Sequence, residues 1–238
     1  MTPIETAEMT IPAPFLFTRE QYDQVCEWGW FGGYKVELLD GVVWNQNGKE
    51  GLAPWQWSQE EYYKILDAGW FIEHRVELID GEILEMPAQK NLHAMGISLA
   101  DFALRAVFGP NYWVRVQASL DLRPRSTPDP DIAVVHGGIR SHNKNANPTR
   151  ALLIVEVSHT TLAYDRGWKA SLYASCGIAD YWILNVLDQQ LEVYRSPVAD
   201  ASKRFGFRYG DRTDLTAGAF ISPLAAPTAS IAVADLLP

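Results

Sequence analysis

Two acids, Asp131 and Glu156, sit in segments that rarely tolerate a charge. Asp131 heads the run Ile132-Ala133-Val134-Val135. Glu156 lies near the end of Ala151-Leu152-Leu153-Ile154-Val155-Glu156-Val157-Ser158. Both runs are short, apolar and rich in β-branched residues, with turn residues on either side, the pattern of buried strands. An ionised carboxylate inside such a strand is costly unless it is paired or holds a metal. Were the strands neighbours, the carboxylates would meet at one edge of a sheet. Two carboxylates with water and a substrate phosphate make a typical Mg²⁺ site. Asp165, Lys169 and Tyr173 follow at intervals of four, on one helix face, and bring a lysine within reach. The competing reading has Asp131 capping a turn and Glu156 pairing with an arginine, which suits one acid better than two.

The surrounding pattern supplies the elements to position them. Residues 90–108 read as a helix with Leu92, Met95, Ile97, Leu99, Phe102 and Val107 on a broad apolar face, stopped by Gly109-Pro110. Residues 112–122 alternate like a strand. Tyr181–Leu184 and Leu191–Tyr194 read as two further strands, followed by a weaker one over Arg204–Tyr209. Ser158-His159 suggests a nucleophile and base, but no third partner or nucleophile-elbow glycines accompany it.

Residues 17–44 and 57–84 are an ungapped repeat at an offset of 40, with ten identities over 28 positions. Each copy starts with an N-cap, Thr18 or Ser58, before a short amphipathic helix ended by Gly29 or Gly69. Asp40-Gly41 and Asp80-Gly81 are hairpin-turn signals. Each copy is therefore helix, strand, tight turn, strand. This gives a mobile leader at residues 1–16, a repeat appendage at 17–56 and a main domain at 57–238.

The chain has 238 residues, 47% of them apolar, enough for one large domain. No apolar run is read as long enough to span a bilayer, and the N-terminus lacks a basic region followed by an apolar one, so a cytoplasmic location is expected. Cys26 and Cys176 cannot form a disulfide framework or a zinc site and read as packed thiols. The net charge of −9 is uneven: residues 1–90 hold 16 acids against 6 bases, residues 91–238 13 acids against 14 bases. The acidic whole argues against avid non-specific DNA binding. The second part is more permissive, with Arg123, Arg125, Arg140, Lys144 and Arg150 flanking the two acids. No Gly-rich phosphate loop is present.

Pro128–Val135, Leu153–Thr161 and Asp165–Leu184, with the earlier Val76–Glu82 and the later Ile221–Leu224, together resemble the Uma family of putative restriction endonucleases, within the PD-(D/E)XK nuclease superfamily. The resemblance runs from about Ser58 to the C-terminus. It implies an α/β fold, a mixed sheet flanked by helices, and Mg²⁺- or Mn²⁺-dependent hydrolysis of DNA phosphodiesters. By the same resemblance Asp131 and Glu156 match the two metal-binding acids, Glu77 a recurrent glutamate that would be a third acid, and His93 a histidine common in the family. The superfamily's lysine two residues after the second acid is here Ser158; Lys169 matches a lysine that family members carry on the next helix. The partners implied are DNA and no membrane, with a homodimer left open. The rival reading is a catalytically inactive relative that keeps the fold for nucleic-acid binding or assembly.

Overall fold

The computed structural model describes residues 12–48 and 51–238. Its described residues fall into two compact units. One holds Pro12–Ala88 and Arg123–Pro128, the other Gln89–Leu122 and Asp129–Pro238.

Both repeat copies belong to the first unit. In the first copy, helix α1 (Arg19–Glu27) leads to the hairpin β2 (Val36–Leu39) and β3 (Val42–Gly48). In the second, α2 (Gln59–Asp67) leads to β5 (Val76–Ile79) and β6 (Glu82–Glu85). Both helices open with a capping box, Thr18 with Gln21 and Ser58 with Glu61. Both turns put Asp and Gly at positive φ, 48° and 77° at Asp40-Gly41, 54° and 81° at Asp80-Gly81. That is the twist a tight hairpin requires. Tyr22 donates to the Val36 carbonyl at 3.0 Å and Tyr62 to the Val76 carbonyl at 3.1 Å, tying each helix to its hairpin.

The third strand of each sheet comes from outside its own repeat. Strand β4 (Gly51–Pro54), which leads into the second copy, pairs with β3 of the first, Pro54 opposite Trp44. Strand β1 (Ala13–Pro14), which leads into the first copy, pairs with β6 of the second, Pro14 opposite Leu84. The two copies thus exchange leading strands. They share one aromatic core, in which Phe17 stacks on Trp57 and Trp28 on Trp70, with centroids 5.1 and 5.3 Å apart. Residues 1–11 of the expected leader lie outside the described residues. Its remainder is ordered: Ala13–Pro14 form β1 and Phe15 is buried. Cys26 is exposed rather than packed, and Cys176 is half-buried.

The second unit is a mixed six-stranded sheet with helices on both faces. Helix α3 (Asn91–Phe108) is followed by β7 (Tyr112–Val116), β8 (Ile132–His136) and β9 (Leu153–Ser158). A helical crossover then runs through α4 (Leu162–Tyr164), a π-helical turn (Asp165–Lys169) and α5 (Ala170–Ser175). It returns the chain to β10 (Asp180–Asn185), β11 (Gln190–Ala199) and β12 (Phe207–Thr216). The strand order is β12-β11-β10-β9-β8-β7. Only β9 and β10 are parallel, the pair that needs a crossover. Alternation along the strands splits the faces. Val134, Val155, Val157, Trp182 and Leu184 pack with Ile97, Ala100, Leu104 and Phe108 of α3. On the other face the Tyr173 ring of α5 meets Tyr181 at 5.1 Å.

One expectation is corrected here. The stretch Asn91–Asn111 does reach the length and mean hydropathy, 1.2, of a membrane-crossing helix. One side of α3 fills the sheet's core and Asp101 pairs with Arg105 at 2.7 Å, while Met95, Leu99 and Phe102 of the apolar face read from sequence are exposed. The final strands, β13 (Phe220–Ile221) and β14 (Ile231–Ala232), form a small separate pair.

Candidate active site

Strands β8 and β9 are antiparallel, with Ile132 opposite Val155. One step further along this register sets Asp131 opposite Glu156. The ladder ends there, and the two side chains take over its hydrogen bonds. Asp131 Oδ2 accepts from the Val157 N–H at 2.8 Å, and Glu156 Oε2 accepts from the Asp131 N–H at 3.2 Å. Each carboxylate is thus fixed by the backbone of the other's strand. Both are buried, Asp131 5% and Glu156 3% exposed, so each such bond to charge replaces lost hydration.

The other oxygen of Glu156 faces the crossover helix. Lys169 Nζ lies 3.0 Å from Oε1, and the Tyr173 hydroxyl donates to the same atom at 2.6 Å. Lys169 is only 2% exposed. It sits at the end of the π turn, a wider turn often found at functional sites. At the turn's start, Asp165 Oδ2 accepts from Ser158 Oγ at 2.5 Å and Thr161 Oγ1 at 2.7 Å. Burial pushes the Asp165 carboxyl above the usual carboxylate range. Attraction to Lys169 and the two hydroxyl bonds pull against burial, and the nearby Asp131 charge adds to it. His93, in the first turn of α3, places Nε2 3.1 Å from Asp131 Oδ1. That bond needs the proton on Nε2.

Within its own unit the structure therefore brings together Asp131, Glu156, Lys169 and His93. Glu77 is buried on β5, in the unit of the repeats. Two further members, Asp165 and Tyr173, were visible only as companions of Lys169 on its helix face. Ser158, in the place of the superfamily lysine, gives its hydroxyl to Asp165, so the Ser158-His159 pair is not a nucleophile and base. Among the described residues no three His, Cys, Asp or Glu side chains are arranged so as to hold a metal ion.

The Uma2 family, described as putative restriction endonucleases, matches residues 60–233. The chain belongs to the Uma2 family. The match begins in α2 and leaves the first repeat copy outside it. A crystal structure of a putative nuclease from Anabaena variabilis superposes with a TM-score of 0.54 at 16% identity, covering 75% of this chain and 96% of that one. At that identity the likeness shows the fold, which is the restriction-endonuclease-like sheet expected of Uma2 proteins. No curated protein matches.

Proposed function

We propose that this Uma2 protein is a divalent-metal-dependent endonuclease that hydrolyses DNA phosphodiester bonds at Asp131 and Glu156. The observation that carries the reading is the reciprocal strand-to-strand fixing of these two buried carboxylates, with Lys169 3.0 Å from one of them. Two carboxylates do not complete a protein cage for a metal. They do fit Mg²⁺ or Mn²⁺, because Mg²⁺ keeps several waters and is commonly bound by one or two carboxylates plus substrate phosphates. The charge supports the fit: three buried carboxylates, Asp131, Glu156 and Asp165, stand against one lysine and a histidine. An ion held by Asp131 and Glu156 would polarise a phosphoryl oxygen and lower the pKa of a bound water.

The chain's own groups supply the rest. Lys169 places a positive charge beside Glu156, in a site of low polarity where such a charge acts strongly on developing negative charge at phosphorus. Tyr173 holds the Glu156 carboxylate in orientation through its hydroxyl. His93 does the same for Asp131.

The test is incubation with plasmid and single-stranded DNA in Mg²⁺, in Mn²⁺ and in chelator, together with calorimetric metal titration. Cleavage in metal alone is expected, with loss of both cleavage and metal binding in Asp131→Asn and Glu156→Gln. Unchanged metal affinity in both variants, or no cleavage of either DNA with any metal, overturns the reading and favours a fold kept for binding.

A further inference from the structure

On the outer side of the crossover helix, α5 and the β11–β12 hairpin enclose a cavity of about 360 Å³. Four cations line it, Arg166, Lys203, Arg208 and Arg212, beside Ser171 and Phe207, and its lining residues include no Asp or Glu. The sequence gives little sign of the cluster, whose members are spread over 47 positions and meet only through the hairpin.

The partners of these cations matter to what the cavity takes. Arg166 and Arg212 both pair with Glu192, which is buried, so two guanidiniums stand over one carboxylate. Each guanidinium has five N–H donors, more than a shared carboxylate can accept. Arg208 pairs with Asp200 at 3.3 Å and Arg212 with Asp214 at 2.8 Å. The first is a partly exposed pair of little strength, which a phosphate can displace; in the second Arg212 donates through two nitrogens to both oxygens of Asp214, at 2.8 and 2.9 Å. Lys203 is exposed. Against Glu192, Asp200 and Asp214 the four cations leave one positive charge in excess, on a chain whose net charge is −9.

Position adds a second argument. Ile183 pairs with Glu156 on one side and with Glu192 on the other. Glu192 therefore lies two strand spacings from Glu156, about 10 Å along the same row of the sheet. Successive phosphates of a stacked strand rise about 3.4 Å each along its axis. About 10 Å thus spans up to three nucleotides.

We propose that this pocket binds a phosphodiester of the same nucleic-acid strand that is cut at Asp131 and Glu156, up to about three nucleotides from the broken bond. The proposal rests on the nuclease reading above. The bond to be cut and the flanking phosphate would be held by separate groups, so affinity and turnover are separable.

The experiment measures binding of labelled DNA by fluorescence anisotropy across a salt series, in an Asp131→Asn background that blocks cleavage. Lys203 and Arg208 are replaced by alanine together, because Arg166 and Arg212 hold the buried Glu192. The melting temperature serves as the folding control. The double variant is expected to lose at least about tenfold in affinity and about one unit of the slope of log affinity against log salt, the share of a single phosphate. Lys203→Arg with Arg208→Lys should retain both. A folded double variant with parental affinity and slope, on DNA that the parent binds, overturns the pocket and leaves the nuclease reading standing. Absence of DNA binding by the parent overturns the pocket, and absence of binding by the wild-type protein in Ca²⁺ as well overturns both. Lost binding of a free mononucleotide with DNA binding unchanged also overturns the proposal, since the pocket would then serve a small ligand.

Discussion

Two buried carboxylate centres share one row of the sheet, and their difference shows what each is for. At Glu192 a single acid is met by Arg166, Arg212, the Tyr194 hydroxyl at 2.7 Å and Asn185 at 3.2 Å. Burial pushes its carboxyl up, but the hydrogen bonds from Arg166, Tyr194 and Asn185 outweigh burial and leave it lowered. At Glu156 the proportions are reversed. Glu156, Asp131 and Asp165 share one lysine, and Asp165 is raised. A centre whose one acid is outnumbered by cations has positive charge to offer an anion, whereas an acid-rich centre lacks positive charge and suits a cation that arrives from outside.

The comparison can be broken by removing one cation from each centre. Lys169→Met should cost about 3–5 kcal/mol in urea denaturation, because it leaves Glu156 buried without its cation. Arg166→Met should cost less, about 1 kcal/mol, because Arg212 still pairs with Glu192 and Arg166 is one-third exposed. Equal losses would mean that the two centres are electrostatically alike.

Opposite pH signatures sharpen the contrast. Glu192 is lowered in the folded protein, so its stabilisation is present above the ordinary glutamate pKa and disappears as pH falls through the depressed value. Asp165 is raised, so its contribution is complete below the ordinary aspartate pKa and is lost as pH rises through the elevated value. The deficit of Glu192→Gln should therefore shrink towards acid, and that of Asp165→Asn should shrink towards neutral pH. Denaturation midpoints across that range check both, and parallel pH profiles for the two variants would contradict the assignment.

Single hydroxyls probe the orientation of each acid. Tyr173→Phe and Tyr194→Phe should each cost about 1.5–3 kcal/mol, the net worth of a hydrogen bond to a charged group. Only Tyr173→Phe should also lower kcat for DNA cleavage, since Tyr173 orients Glu156 and Tyr194 orients Glu192.

How much of this was legible depended on whether a residue's partners are local. Asp131 and Glu156 stood out because charge in a β-branched run is costly, and Lys169 because the helix period carried it to the same place. Tyr173 shared that period, yet nothing in one sequence distinguishes a tyrosine bonded to a carboxylate from one packed in a core. The π turn left no mark, since its residues, Asp165–Lys169, read equally well as α-helix. Strand lengths in the hairpin were underestimated. The run read over Leu191–Tyr194 extends from Gln190 to Ala199, through Pro197 and past a positive φ at Ser196. The sequence signals for ending a strand were present there, and pairing with β12 overrode them. Most hidden was the exchange of leading strands. The repeat shows two hairpins, but the third strand of each lies outside the 28 repeated positions and pairs across copies.

That exchange also sets the order in which the chain can finish folding as it is made. Strand β1 emerges from the ribosome before the strand it pairs with, since Leu84, opposite Pro14, is 70 residues downstream. At about 5–20 residues per second, several seconds pass before the partner strand exists. Until then Phe15 and Phe17, both buried in the finished unit, lack the second half of their aromatic core. The first copy can cap its helix and close its hairpin alone, because those contacts are local. It cannot bury its leading segment until the second copy has been synthesised. The nascent chain therefore carries an uncovered aromatic segment around Phe15 and Phe17 through that interval, a period in which chaperone capture or premature association with a neighbouring nascent chain competes with folding.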